Sequence, residues 1–299
     1  MRVTNQGLLH NYLSNLNRNL TYLSKFQNQL SSGKEIHRPS DDPFGSTRVM
    51  SLRSSLAQNK QYLRNIEDSM GWIDMTDTAL GNMGDILTRI KVLSIQGFSG
   101  TMAENDRHAV EVEVKQLINQ LAQIGNTKYD GKYIFAGSAT TQRPFSVNGD
   151  MLSYNGTDRV LEREISERVS LVINIPGNWI NEGRFAGELT EDLASTLNKL
   201  VSALATTEEN DEPHIEKLEE HIDNILALRA EMGAKYNRLE AAKHKNEEET
   251  LNMTELLSKT EDIDFAGKIM EYMTMQNVYM ASLSTGAKIM MPTLLDFLR

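Results

Sequence analysis

The stretch NQGLLHNYLSNLNRNLTYLSKFQNQL, residues 5–30, sets Leu9, Leu13, Leu16, Leu20, Leu23 and Leu30 at alternating four- and three-residue steps, broken only at Gln27. That rhythm lays a leucine stripe along one face of a helix, the pattern of a coiled-coil seam. A second stripe stands at the other end of the chain, where Ala266, Ile269, Met273, Gln276, Met280, Leu283, Ala287 and Met290 repeat the same steps. One apolar stripe on a lone helix is marginal in water. The two ends are therefore expected to pair with each other, and as a pair with neighbouring subunits. A chain with seams at both ends is built to be assembled rather than to do chemistry.

Working inward from the first stripe, Gly33 suits a left-handed helix C-cap. Two prolines, Pro39 and Pro43, flank Ser40, Asp41 and Asp42, and no helix continues through them. Ser40 or Asp41 is expected to cap the next helix, with Pro43 in its first turn. Gly33, Pro39, Ser40, Asp41, Asp42 and Pro43 thus form an ordered linker. Val49, Leu52, Leu56, Leu63, Ile66, Met70 and Ile73 carry the next run, which resets near Gly81 and Gly84 and resumes through Leu87, Ile90 and Leu93. About 50 residues of helix span about 75 Å. A third helix carries Val110, Val114, Leu117, Leu121 and Ile124 and ends at Gly125-Asn126.

From Tyr129 the period changes. Short β-prone segments at 133–135, 144–147, 151–154, 160–165 and 169–175 are separated by turn signals at Asp130-Gly131, Asn148-Gly149-Asp150 and Asn155-Gly156. Helix resumes from Leu189 to about Ala205, and a long run from Ile215 extends through Leu257. Glu261-Asp262-Ile263-Asp264 breaks the chain and caps the last helix, and Pro292 ends or kinks it. The expected fold is mainly α: an elongated rod of long antiparallel helices, with paired terminal coiled-coil helices and a small β-rich insert at the far end. Its parts are an N-terminal arm and linker (1–42), the first half of the rod (43–130), the insert (131–185), the second half of the rod (186–260) and a C-terminal arm (261–299).

Composition narrows the function. The 299 residues carry 41 acidic and 31 basic side chains, a formal net charge of −10, which argues against nucleic acid as a main partner. The absence of cysteine excludes disulfides and cysteine-based metal sites, and fits export as an unfolded chain. The start MRVTNQGLLHNYL lacks the charged region and apolar core of a secretory signal, and no segment reaches the roughly 20 apolar residues of a membrane span. No catalytic constellation stands out. His214 and His221, seven apart, read as surface residues, since a metal site needs a third ligand nearby. Asp74 and Asp77 read as helix-surface acids, and Asp41-Asp42 as capping residues rather than an acid/base pair. Ser284-Thr285-Gly286-Ala287-Lys288 lacks the first glycine and preceding strand of a phosphate loop.

The segment LSSGKEIHRPSDDP, residues 30–43, resembles the bacterial flagellin superfamily, as do LTRIKVLSIQ at 87–96, NTKYDGKYIFAG at 126–137 and the helix from Asp264 to Arg299. The resemblance covers nearly the whole chain. Flagellins usually carry a proline-free stretch where this chain has Arg38-Pro39-Ser40-Asp41-Asp42-Pro43; the proline-flanked form is similar to the hook-associated junction proteins of the same superfamily. The short length and the ending Leu294-Leu295-Asp296-Phe297-Leu298-Arg299 fit the shorter of those proteins. What the resemblance implies is a structural subunit between hook and filament, with no enzyme activity and no cofactor. It implies a ring-like homo-oligomer flanked by hook-associated protein 1 and by flagellin. It also implies export through the flagellar type III apparatus to an extracellular position, without a cleaved signal peptide. A cytoplasmic chaperone would bind the C-terminal region, with Leu294, Leu295, Phe297 and Leu298 as a chaperone or assembly tail. Neither nucleic acid nor membrane is implied as a partner. A filament flagellin is the nearest alternative; a soluble helical enzyme and a secreted coiled-coil effector are more remote ones.

Overall fold

The structure is a computed structural model that describes residues 5–98, 104–148, 151–183, 189, 191–206 and 212–289. In chain order the elements are α1 (Asn5–Ser32), α2 (Pro43–Gly97), α3 (Glu104–Gly125), β1 (Lys128–Tyr129), β2 (Lys132–Tyr133), β3 (Phe145–Asn148), β4 (Met151–Tyr154), β5 (Glu162–Ser166), β6 (Val169–Val172), α4 (Gly177–Asn181), α5 (Leu193–Thr206), α6 (Glu212–Glu261) and α7 (Phe265–Ile289). The fold is mainly α. The chain divides into two compact units, one of Met1–Gln58 with Glu249–Arg299 and one of Asn59–Glu248.

The second unit holds the main core. On α2 the buried positions run Ile66, Ser69, Ile73, Thr76, Leu80, Met83, Leu87, Ile90 and Ser94, an unbroken alternation of three- and four-residue steps. The three hydroxyl residues fit this buried stripe because each satisfies itself within the helix. Ser69, Thr76 and Ser94 donate to the carbonyls of Asn65, Trp72 and Ile90 at 2.5, 2.8 and 2.7 Å. Val114, Ile118 and Leu121 of α3, Leu197, Leu200 and Leu204 of α5, and Leu218, Ile225, Leu228, Met232 and Leu239 of α6 complete the same cluster. The helix expected to reset at Gly81 and Gly84 is continuous. Gly81 lies against the Arg229 guanidinium and Gly84 against Ile225, so both glycines fall where α6 packs on α2.

The β segments form three separate antiparallel hairpins among the described residues, β1–β2, β3–β4 and β5–β6. Asp130 and Gly131 close the first with φ of 49° and 74°, the two left-handed residues of a tight hairpin turn. The second pairs Asn148 with Met151, leaving Gly149 and Asp150, outside the described residues, as its connection. The third is closed by Glu167 and Arg168, a turn with no glycine or asparagine to announce it; Arg168 sits at φ 60° and its N–H donates to Glu164 Oε1 at 3.1 Å.

Several expected boundaries move. Of the strand expected at 133–135, only Tyr133 is paired; Ile134, Phe135 and Ala136 are irregular and fully buried. Their backbone is satisfied from outside any sheet, the Phe135 carbonyl accepting the Tyr154 hydroxyl at 3.0 Å and the Gly177 N–H at 2.9 Å. Asn155-Gly156 is no hairpin turn, since the Asn155 N–H continues the pairing by donating to the Pro144 carbonyl at 2.7 Å. Helix α5 starts at Leu193 rather than Leu189. Pro213 occupies the first turn of α6, where its missing N–H costs nothing.

Candidate assembly face and linker

In the first unit α1 and α7 pack against each other. The half-buried side chains of α1 are Tyr12, Leu16, Asn19, Leu23, Phe26 and Leu30, at strict four- and three-residue steps. Those of α7 are Lys268, Tyr272, Met275, Tyr279 and Ser282, leading to the buried Gly286. Specific contacts tie the two rows together. The Tyr12 hydroxyl donates to the Ser282 carbonyl at 2.8 Å, and its ring lies beside Gly286. Lys268 Nζ stands 5.5 Å from the centre of the Phe26 ring.

This contact corrects the phase of both predicted seams. Leu16, Leu23 and Leu30 belong to the packed row, but Leu9, Leu13 and Leu20 are 37, 44 and 47% exposed. On α7 the predicted row lies one residue beyond the packed one. Ile269, Met273, Met280 and Leu283 are 42 to 57% exposed, and Ala287 is exposed as well. Met290 and the tail Leu294, Leu295, Phe297 and Leu298 lie outside the described residues. Tyr12, Tyr272 and Tyr279 at the internal contact carry polar tips, and the aliphatic Leu9, Leu13 and Leu20 of α1 and Ile269, Met273, Met280 and Leu283 of α7 stay exposed. Charge is sparse on both helices: across 28 and 25 residues the charged side chains are Arg18, Lys25, Lys268, Glu271 and Lys288. In the whole chain charged residues are 24%. Exposed aliphatic side chains among few charges are features that protein interfaces share.

The linker is held by hydrogen bonds along its length. Gly33 takes φ 73° and donates its N–H to the Gln29 carbonyl at 2.8 Å, the left-handed cap that ends α1. The chain then runs antiparallel to the α6–α7 break. Ile263 N–H donates to the Gly33 carbonyl at 3.1 Å, and Glu35 N–H to the Glu261 carbonyl at 2.7 Å, around a bridge between Lys34 and Asp262. The buried Gln29 amide donates to the Glu35 carbonyl at 2.8 Å. Glu261, its side chain 5% exposed, meets Lys34 Nζ at 2.7 Å and also pairs with Arg53. Two cations, their side chains 41 and 51% exposed, converge on this buried carboxylate, so the clasp leaves the buried charge paired.

The prolines are followed by a cap, but not the expected one. Asp42, rather than Ser40 or Asp41, caps α2, its Oδ1 accepting the N–H groups of Phe44 and Gly45, both at 3.1 Å, with Pro43 at the first helical position. Asp41 instead accepts the Arg38 N–H at 3.0 Å, closing a small turn over Pro39 and Ser40. That hydrogen bond, helped by Lys25 at 3.7 Å, holds the Asp41 carboxyl below its ordinary range. Asp264 caps α7 as expected, accepting the Ala266 N–H at 3.1 Å.

In the second unit, His221 was expected at the surface and is instead 1% exposed. Its Nε2 lies 3.3 Å from Thr196 Oγ1, and burial holds its pKa down at about 4. Asp77 receives both Nε and an Nη of Arg229, at 3.0 and 3.2 Å, so it is a structural ion pair. Sequence periodicity missed His221 because its position, three residues after Leu218 and four before Ile225, carries the apolar rhythm while its residue type does not.

No group of three or more histidine, aspartate or glutamate side chains is placed to hold a metal among the described residues, and no described helix is long and apolar enough to cross a membrane. Residues 3–140 match the bacterial flagellin N-terminal helical region and residues 215–298 the bacterial flagellin C-terminal helical region. The chain belongs to the bacterial flagellin family, a family of structural flagellar proteins. Within it, flagellar hook-associated protein 3 of Escherichia coli K12 is 24% identical over 302 residues, covering 94% of this chain and 95% of that protein. A flagellin of Halalkalibacterium halodurans is 26% identical over 264 residues, covering 86% of this chain and 84% of the flagellin. The crystal structure of hook-associated protein 3 from Legionella pneumophila superposes with a TM-score of 0.63 at 15% identity, over 71% of this chain and 98% of that one.

Proposed function

We propose that this chain is the structural subunit joining hook to filament in a bacterial flagellum. The observation that carries the reading is collinearity: the alignment with hook-associated protein 3 covers 94% of this chain and 95% of that protein, whereas the flagellin alignment leaves more of each uncovered. The proline-flanked linker supports it. The structure supplies a physical reason for assembly, since the aliphatic rows Leu9, Leu13, Leu20 and Ile269, Met273, Met280, Leu283 find no cover within the unit that carries them. In this reading the α1–α7 pair forms the inner layer of a ring of identical subunits. Hook-associated protein 1 lies on one side and flagellin on the other. The chain travels unfolded through the flagellar export apparatus, kept soluble by a chaperone on the C-terminal region and its tail. The linker clasp around Glu261 sets the path of the chain from that layer into α2.

The second reading, a filament flagellin, is favoured by the slightly higher identity to the Halalkalibacterium protein. A strain lacking the gene separates the two. Hooks without filaments, with flagellin shed into the medium, are expected for a junction subunit. Loss of this chain with filaments of another flagellin still attached to hooks would overturn the junction reading.

A further inference from the structure

The chain has no cysteine, so methionine thioethers are its most oxidant-reactive side chains. Of its 15 methionines, Met270, Met273, Met275 and Met280 stand on α7, and Met290 and Met291 follow directly. Met270, Met273 and Met280 are 65, 57 and 53% exposed, among Ile269 and Leu283 on the face that α1 leaves uncovered. By contrast Met83 and Met232 are sealed in the core of the second unit, at 1 and 0%. Thioethers are thus concentrated where solvent reaches them in a free subunit.

We propose that Met270, Met273 and Met280 form an oxidation site, at which a peroxide-class oxidant converts the free subunit into one that no longer assembles. The inference rests on the proposed function, which makes this face an assembly face. In the reaction the thioether sulfur attacks one peroxide oxygen and the O–O bond breaks. The sulfur loses two electrons and gains that oxygen as a sulfoxide, and the other oxygen leaves as water. The product replaces a flexible apolar group by a polar, chiral one. Placed between Ile269 and Leu283, the sulfoxide oxygen must keep its water or lose it without a partner, which opposes burial against a neighbour. Once the face is covered the sulfur is shielded, so assembled subunits resist the same oxidant. Methionine sulfoxide reductases reverse the change.

The test uses the purified full-length chain and hydrogen peroxide. Peptide mass spectrometry should show Met270, Met273 and Met280 oxidised at least tenfold faster than Met83 and Met232, with the exposed Met50 of α2 (65% exposed) reacting alongside them. Treated and untreated chains are then added with flagellin to hooks isolated from a strain lacking the gene, and filaments are counted by electron microscopy. Untreated chain should restore filaments and treated chain should restore fewer than a tenth as many. For the triple variant M270L/M273L/M280L the ratio of treated to untreated filament counts should stay near one whatever its untreated count, and for M50L that ratio should fall below a tenth. Failure of the untreated chain to restore filaments overturns the proposed function and with it the assembly half of the inference. Restoration by untreated and treated chains alike, or equal loss in the triple variant, overturns the oxidation site alone.

Discussion

At the scale of single residues, His221 is where burial turns into a pH dependence. Its ring is neutral in the fold, because burial opposes the charge more than Glu220, Asp192 and Glu191 favour it. The folded value of about 4 lies below the roughly 6.5 of an unfolded chain, so the unfolded state takes up the proton first as pH falls. The stability tied to the neutral ring is complete above pH ~6.5 and is lost progressively toward pH ~4, to at most about 3 kcal/mol. Glu191 shifts the same way for a different reason: hydrogen bonds from Lys199 and Lys217 hold it down at about 2, so its contribution is complete above the ordinary carboxylate pKa and is lost only as the pH falls from there toward 2. Between pH 6.5 and 5 the histidine therefore acts without it. Urea unfolding of His221→Gln should lose about 1–2 kcal/mol less than wild type between pH 7 and 5; parallel pH profiles would place the acid sensitivity in other groups. Gly137 gives a sharper residue-scale case. It sits at φ 65°, and a Cβ there would stand 1.9 Å from the Thr157 carbonyl oxygen, a backbone atom that has no rotamer to escape into. Gly137→Ala should destabilise the second unit by about 2–4 kcal/mol, read as a lower urea midpoint.

At the scale of elements, the two units differ in what holds their helices. No hydrophobic residue of α1 or α7 is fully buried among the described residues, whereas α2 alone buries eleven, from Val49 to Leu93. At about 25 cal/mol per Å² the half-buried terminal rows return much less than a closed core. Amide exchange of the isolated chain, followed by mass spectrometry, should therefore be fastest in α1 and α7 and slowest in α2 between Ile66 and Leu93. Equal protection would mean that the terminal pair is stable without neighbours. The same contrast explains what the sequence made legible. The terminal helices, the proline break, the cap at Asp264 and the change of period near Tyr129 all rest on local chemistry, and all stand close to their expected places. The phase of the seams did not, because apolar periodicity finds the most aliphatic face of a helix. On α7 that face is the outward one, and the inward one carries Tyr272, Met275 and Tyr279, with Lys268 over Phe26; on α1 the predicted leucines divide, Leu16, Leu23 and Leu30 lying inward with Tyr12 and Phe26, and Leu9, Leu13 and Leu20 staying exposed. The hydroxyl positions Ser69, Thr76 and Ser94 hid the regularity of the α2 stripe for a related reason: their buried state depends on hydrogen bonds inside the helix, which residue type alone does not reveal. The turn at Glu167-Arg168 and the clasp at Glu261 depend on partners four and more than two hundred residues away.

At the scale of the whole molecule, the proposed function separates a unit that closes its own core from terminal helices that order against neighbours. The unit of Asn59–Glu248 closes a core of its own, while the terminal helices present Leu13, Leu20, Met280 and Leu283 at 44 to 53% exposure with hardly any charge beside them. Leucine to glutamate at such positions places a carboxylate on solvent in the free chain, where surface substitutions cost little, within about 0.5 kcal/mol. In an assembled layer the same carboxylate would lie in an apolar contact without a partner, a position costing several kcal/mol. A Leu20→Glu, Leu283→Glu double variant should therefore keep the helical content and the urea midpoint of the wild type. It should fail to restore filaments when expressed in a strain lacking the gene, with motile spread on soft agar reduced at least tenfold. Filaments formed normally by the double variant would show that the aliphatic rows remain in water in the flagellum. A lowered urea midpoint would instead show that they support the fold of the free chain.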